Sequence, residues 1–550
     1  MGSAPMKPVV RVKAGGMAFP GAAPAQRSQP QMRYLRDVGS GILGARRVSL
    51  PDSRESIRWA WERAAALAED FIQNSGRLKG AVDQVLADTV GTELKLNFQP
   101  DLAGLGYDDK ERAEFKTLVE RRWRQWAWNP QECDLRGKFT LPQMVDISLR
   151  HFIAYGEACG ALDFMPEARR RQYGVRSGLK VCSTSPINLV RDTREFEGLY
   201  QGVIHDAGGR PSHYRVRSRR DGMMETVDYR ARDPFGMALF YHVFDPKDSA
   251  DVRGISELAP VMKTWAMSEK LDDLTLQSLA LQTVFAATIT SPEPSDTAFN
   301  AIAALGDMTG DLGSAGTSLG KEYLAYFGAQ LDAAAERRVT VSDAGQVNHL
   351  APGEEFEMHK PVTPGDQYLP LSMNLQRILA RCIGVTYSSF TLNHENATYS
   401  SVRMENASIW PVVMRRRERI AAPVCNAVFE PWLAEEIVEG RIPFKGGARA
   451  FMANRERASW AEWVGPPAPT ADDLKSARAA TERLGNRTSS LAIESAATGY
   501  DPQDIAAMRA ADIELYEGYQ MGDPYLPTFA AMSRPVVEAD DPAPAPARKS

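Results

Sequence analysis

The sequence predicts a mainly helical chain with an inserted α+β portion. Three observations carry this. Apolar residues recur every three or four positions along most of the chain. Between about 179 and 244 that period gives way to alternation. Two apolar-striped segments, 254–283 and 364–383, flank a stretch rich in Gly, Ala, Ser and Pro, 291–361. At 550 residues and 43% hydrophobic, the chain is long enough for several domain-sized units with substantial cores.

Taken in order, residues 1–31 are Pro, Gly, Ala and scattered cations, too little apolar surface to offset chain entropy, so disorder is expected there. A helix follows over 53–74, where Ile57, Trp61, Ala64, Ala65, Ala68 and Ile72 form one stripe after the start signal Pro51-Asp52-Ser53. Further helices are expected over 78–90, ending at Gly91, over 111–126 and over 141–155. Trp123, Trp126 and Trp128 lie on an amphipathic stripe and read as core. Strands are expected at 179–182, 199–205, 213–217 and 240–244, with a turn at 206–211. The 254–283 segment reads as a rod of roughly 40 Å. The insertion carries short extended pieces at 323–327 and 339–342, and a second helix follows over 364–383. Two long helices around a compact insertion suit a stalk with a distal cap. Residues 384–400 are polar and turn-rich. A long helix then runs over about 399–439, interrupted at Pro411, Pro423 and Pro431, each of which should kink or break it. Three short helices, 471–483, 488–498 and 502–516, precede a tail from about 522 that again reads as disordered.

Composition excludes several classes. The 65 Lys+Arg against 70 Asp+Glu give a formal charge of -5, unlike a protein that grips nucleic acid through its phosphates. Cys133, Cys159, Cys182, Cys382 and Cys425 are widely spaced, with neither a metal nor a redox pair, and read as reduced thiols. No apolar run reaches membrane-spanning length, so no membrane partner is expected. There is no phosphate-binding G-x-x-x-x-G-K-[ST] loop and no closely spaced histidine pair, so neither a nucleotide cofactor nor a metal is expected. The triplets at Asn396, Asn406 and Asn486 read as chance glycosylation matches. Gly316 to Gly320 matches the G-x-S-x-G pattern of serine hydrolases around Ser318. It lacks a preceding apolar strand and also reads as chance, leaving no catalytic residue. Arg415, Arg416, Arg417 and Arg419 form a run that reads as an ion-pair face, solvated or between subunits, with phosphate contact as the alternative.

Several local strings occur in a telling order. They are Gly202-Val203-Ile204-His205-Asp206 with Gly209-Arg210-Pro211, and Tyr241-His242-Val243-Phe244 before Arg253-Gly254-Ile255-Ser256. Then come Leu350-Ala351-Pro352-Gly353-Glu354, Arg381-Cys382-Ile383-Gly384-Val385-Thr386-Tyr387 and Tyr399-Ser400-Ser401-Val402-Arg403. Trp460-Ala461-Glu462-Trp463 with Asp473-Leu474-Lys475 closes the series. Together, over about 59–516, they resemble the lambda family of phage portal proteins. The chain departs from that pattern at Thr398, where the family commonly has Asn, and at His394-Glu395, where an Asp is common.

The resemblance implies a portal fold: an arm (1–50), an α+β wing (51–253), a first stem helix (254–290), a clip (291–361) and a second stem helix (362–383). After these would come a tunnel loop (384–400), a kinked helix with a wing return (401–465), a helical crown (466–521) and a tail (522–550). It implies a non-enzymatic homo-oligomer of about twelve subunits at a capsid vertex, assembled in the host bacterial cytoplasm, that passes double-stranded DNA without sequence preference. The partners implied are the large terminase, the major capsid and scaffold proteins and a head-completion or tail adaptor. A non-portal ring or scaffold protein of the particle is the alternative. Phe390, Thr391, Asn393, His394, Glu395 and Asn396 would face DNA. Leu258, Met262, Trp265, Leu271, Leu274, Leu375, Ile378 and Leu379 would line the stem and its subunit contacts. A conduit should avoid tight cationic grips, because each phosphate contact must break as the polyanion slides; the net negative charge is consistent with that.

Overall fold

The computed structural model describes residues 52–220, 223–284, 287–290, 355–358, 365, 367–394, 398–470, 473–500 and 502–526. The expectations for residues 1–31, for the two extended pieces of the insertion, for Ser318, Glu395 and Asn396 and for the tail beyond 526 lie outside these residues. Residues 57–550 make up one compact unit and 1–56 another; apart from residues 53–56, which begin the first helix, all that follows concerns the first of these.

Helix α1 (Ser53–Asn74) buries the expected stripe of Ile57, Trp61, Ala64, Ala65 and Ala68. Helix α2 (Gly76–Thr89) ends where the Val90 and Gly91 N–H groups return to the Leu86 carbonyl, Gly91 taking φ +64. Strand β1 (Lys95–Phe98) precedes α3 (Asp109–Ala127), which opens on a capping box between Asp108 and Glu111. Thr140 and Gln143 form the same device at α4 (Leu141–Tyr155), which stops at left-handed Gly156.

Strand β2 (Glu157–Phe164) was not expected, and its burial explains why. Its first six residues are all buried, so the alternation that marks a half-solvated strand is missing from its sequence. It is the centre of a three-stranded antiparallel sheet, between β3 (Leu179–Thr184) and the strand at 240–244, with helix α5 (Glu167–Tyr173) connecting β2 to β3.

The expected strand 199–205 is instead two, β4 (Leu199–Tyr200) and β5 (Val203–His205). Gln201 and Gly202, at φ 47 and 86, make a two-residue hairpin turn between them. Strands β6 (Pro211–Arg220) and β7 (Met223–Arg230) complete a four-stranded sheet of order β4-β5-β6-β7. Strand β8 (Phe240–Phe244) returns to β2.

The first long helix, α6 (Met262–Val284), starts eight residues later than the sequence suggested. Residues 254–261 are held instead by a bond to α4 and a local turn: Ser256 Oγ donates to the Ile153 carbonyl at 2.8 Å and accepts the Leu258 N–H at 3.2 Å. The helix is therefore about 34 Å long. Strands β9 (Ala287–Thr290) and β10 (Glu355–Met358) pair antiparallel, bringing the two ends of the insertion together.

Helix α7 (Tyr368–Ile383) ends at left-handed Gly384, and α8 (Tyr387–Thr391) follows. Helix α9 (Tyr399–Arg416) passes through a π-helical turn, Arg417–Ala421, into α10 (Ala422–Val438). The helices run through Pro411 and Pro431 without a break. The irregularity falls at the π turn just before Pro423, whose missing N–H and ring would conflict with a regular turn there. Helix α11 (Gly447–Ala453) leads to β11 (Ala461–Val464), which pairs with β1 and so joins the two ends of this part of the chain. Helices α12 (Asp473–Gly485), α13 (Leu491–Ala497) and α14 (Pro502–Gly518) follow.

The main core gathers α2, α3, α4, α10 and the roots of α6 and α7 around aromatic rings. Trp123 lies edge-on to Trp432 with centroids 5.0 Å apart and to Phe429 at 5.2 Å. Trp126 is buried with them, as expected, whereas Trp128 is 43% exposed and donates its indole N–H to Glu93.

Candidate functional site

The base of α6 is held by a buried charge network. Glu157, the first residue of β2, is wholly buried with Arg253. Arg253 Nε lies 2.8 and 2.7 Å from the two carboxylate oxygens, and its Nη2 pairs with one of them. Its Nη1 donates to the Gln201 carbonyl at 2.8 Å, and its guanidinium sits 5.1 Å from the centre of the Trp61 ring. His242 Nε2 completes the carboxylate's shell at 2.9 Å. Burial pushes the Glu157 pKa up, but the Arg253 charge and the hydrogen bonds from His242 and Arg253 outweigh it and hold the group at about 2.

Beside this network Gly254 and Gly156 touch backbone to backbone; a Cβ on Gly254 would lie 1.9 Å from the Gly156 carbonyl oxygen. The strings around His242 and Arg253 thus share one physical task, fixing the base of α6 to β2 and β8. Sequence reading passed over Glu157, the centre of this network, because β2 itself showed no pattern.

Four arginines at the end of α9 and in the π turn point in different directions around the helix, and each finds a partner in its own chain. Arg415 and Arg419, one turn apart, share Asp245 at 2.6 and 3.3 Å. Arg416 is buried, pairs with Glu257 at 2.7 Å and donates to the Ile383 carbonyl at the end of α7. Arg417, also buried, donates to the Thr89 carbonyl at 3.0 Å and the Asp88 carbonyl at 3.1 Å, at the end of α2, and to the Pro466 carbonyl at 2.8 Å. Helix C-termini leave carbonyls unpaired and carry partial negative charge, so a guanidinium is a natural cap. Arg416 and Arg417 are accordingly internal staples, corrected from the surface role expected for the run.

The segment after α7 is only partly open. Thr386 caps α8 by accepting the Ser389 N–H at 3.1 Å, and Phe390 turns inward, 9% exposed and edge-on to Trp265 at 6.1 Å. Phe390 is thereby removed from the expected DNA-facing set: an aromatic ring at this position gains more from the core than from solvent. Thr391 is half-buried, its hydroxyl donating to the Tyr387 carbonyl at 2.9 Å, while Asn393 and His394 are exposed. Leu392, not singled out in the sequence, is 80% exposed with φ 53. Thr398 caps α9 in a capping box with Ser401, a role Asn also fills, so this departure from the family pattern keeps its function.

The expected stem residues divide. Leu258, Met262, Trp265 and Leu379, expected to line the stem and its subunit contacts, are buried in the chain's own core. Leu271 and Leu375 are half-buried, and Leu274 and Ile378 are 52% and 46% exposed. Leu276, Leu369 and Leu371 are exposed on the same two helices. Asp272 ties α6 to α7 through the Tyr368 hydroxyl at 2.7 Å and to α2 through Arg77 at 2.7 Å.

Among the described residues no group of three His, Cys, Asp or Glu side chains is placed to hold a metal, and no helix is long and apolar enough to cross a membrane. All five cysteines are free thiols.

The chain is 27% identical over 484 residues to portal protein B of Escherichia phage lambda, covering 86% of this chain and 88% of that one. It is 27% identical over 459 residues to the portal protein of Escherichia phage N15, with 82% and 84% covered. Among solved structures, the neck of an empty gene transfer agent particle aligns with a TM-score of 0.40 at 12% identity, covering 83% of this chain and 96% of that one. An HK97 family phage portal protein from Corynebacterium diphtheriae aligns with a TM-score of 0.27 at 12% identity, covering 68% and 90%. The model of the family described as phage portal protein, lambda family, matches residues 40–417. With that match spanning more than half of the sequence, the chain belongs to the lambda family of phage portal proteins.

Proposed function

We propose that this chain is the subunit of a ring, of about twelve copies, set at one capsid vertex of a virion. Duplex DNA would pass through it inward during packaging and outward during ejection. In this reading 51–253 with 401–465 form the wing, α6 and α7 the stem, 291–361 the clip, 384–400 the tunnel loop and 466–521 the crown. The observation that carries it is the pair α6 and α7. Both are rooted in the core at one end, yet they leave Leu274, Leu276, Leu371 and Ile378 in solvent. Large apolar side chains left in solvent on long helices call for cover, and a cyclic ring supplies it by setting each subunit's pair against the next.

Asn393 and His394, with Glu395 and Asn396, are the side chains proposed to face DNA. They are polar and carry no cluster of cations, as suits a surface over which a polyanion must slide. The clip would meet the packaging terminase first and a head-completion or tail adaptor afterwards, and the wing would meet capsid and scaffold proteins. The role is structural, with no catalytic step.

Negative-stain imaging of the purified protein tests the reading: an annulus with an axial hole wide enough for a duplex is expected. A compact monomer under all assembly conditions, or a ring without a bore, overturns it. Deleting 393–396 should leave the ring intact and lower the amount of DNA packaged or retained; normal packaging would remove the loop from the mechanism.

A further inference from the structure

Between β2 and β3 the chain makes an excursion that strand pairing does not need. Phe164 faces Leu179 across the antiparallel ladder, a position that a tight turn can close, yet residues 165–178 intervene. They hold α5, which buries none of its side chains and ends at left-handed Gly174. This helix adds nothing to the core of its own chain: every residue but the half-buried Arg170 is exposed, among them Arg169, Arg171 and Tyr173.

The excursion lies beside the turn at 134–138. There Leu135 N–H donates to the Val181 carbonyl at 3.0 Å, Arg136 Nη2 lies 3.7 Å from Cys182 Sγ, and the Glu132 carboxylate accepts the Arg176 N–H at 3.0 Å. Exposed Arg136, Lys138, Arg169, Arg171 and Arg176 thus share one region.

The carboxylates of that region already have partners of their own. Glu132 serves the backbone of 176 and 177, and Asp134 accepts the Lys138 and Phe139 N–H groups. Asp163 accepts the Phe164 N–H. Glu167 pairs with Arg171, Glu435 holds the Gly178 and Leu179 N–H groups, and Glu439 faces Arg170 at 3.5 Å. Among the described residues Arg136, Lys138, Arg169 and Arg176 form no ion pair. Tyr173, 59% exposed, and Phe164, 46% exposed, stand among them. Unpaired arginines with exposed aromatic rings are the composition of a protein–protein contact.

We infer that this basic, aromatic surface, carried by α5 and the 134–138 turn, docks an acidic segment of a partner protein. Acidic peptide is favoured over duplex DNA on two grounds. A duplex offers phosphates but no free base face to Tyr173 or Phe164, whereas a peptide brings carboxylates and apolar side chains together. The surface also adjoins the C-terminal end of α10, where Glu435 binds 177–179. The segment proposed to face DNA precedes α9, and the helical run 399–438 between them is on the order of 60 Å long. The inference requires that the chain docks another protein and not that it forms a channel, so either can fail alone.

Fluorescence anisotropy on the purified full chain tests it, with a labelled peptide of alternating Glu and Tyr and a labelled duplex of equal net charge as probes. The peptide should bind saturably and more tightly than the duplex. The triple variant Arg136→Glu, Arg169→Glu, Arg176→Glu should weaken it at least about tenfold with an unchanged thermal midpoint. Arg169→Ala with Tyr173→Ala, confined to the exposed α5, should weaken it without any folding penalty. Absence of peptide binding, unchanged affinity in both variants, or tighter duplex binding that the triple variant abolishes would overturn the inference.

Discussion

At the scale of single residues, the best-defined feature is the shell of Arg253 and His242 around Glu157. Removing one member strands the other charges in a dry interior, so Glu157→Gln or Arg253→Met should cost about 3–5 kcal/mol in denaturant unfolding. A cost below 1 kcal/mol would mean that water reaches the site. Acid should act on the same group. Its folded pKa of about 2 lies below the ordinary carboxylate value of 4.5, so the stability it contributes is complete above 4.5 and is lost as pH falls toward 2. His151, pushed by burial from 6.5 to about 4, likewise withdraws stability as pH falls from 6.5 toward 4. Thermal midpoints measured between pH 7 and pH 3 should therefore fall in two stages; His151→Phe should flatten the first and Glu157→Gln the second. A wild-type profile flat over that range would refute both assignments.

At the scale of elements, the junction before α6 decides where the long helix begins. Gly254 and Gly156 approach so closely that Gly254→Ala should destabilise the protein by at least the usual overpacking cost of about 1–3 kcal/mol, read as a lower unfolding midpoint. A neutral result would show that the 254–261 turn can move away. The α8 segment offers a contrast within a few residues. Phe390→Ala should act on stability, because its ring packs on Trp265, whereas His394→Ala, in solvent, should leave the midpoint unchanged within about 0.5 kcal/mol. Equal effects of the two substitutions on the midpoint would contradict the inward placement of Phe390.

At the scale of the whole molecule, α6 and α7 carry two kinds of apolar residue that sequence spacing alone does not separate. Leu379 is 2% exposed and Leu274 52% exposed. Leu379→Asp should therefore unfold the chain itself, by burying an unpaired charge. Leu274→Asp should spare the folded subunit and lower only the yield of rings, measured by native mass or sedimentation. Normal ring yield for Leu274→Asp would remove that face of α6 from subunit contact. The α12–α14 region also exposes apolar side chains, with Leu491, Ile493 and Leu515 each more than half exposed.

Amphipathic period and capping chemistry are local, and they determined much of this protein without reference to the fold. The bounds of α1 and α4, the strand at 240–244, the core placement of Trp123 and Trp126 and the flanking of an insertion by two long helices all follow from residues a few positions apart. The order of short strings was enough to indicate the family. Tertiary structure alone decided the rest, because the causes act between distant segments. Strand β2 is buried on both faces and so has no alternation to read. The start of α6 is set by a backbone contact with Gly156. Arg416 and Arg417 are drawn inward by the carbonyl ends of α7 and α2, and Phe390 by Trp265. A side chain's period along the chain says which way it points, but what waits there to receive it depends on residues a hundred or more positions away.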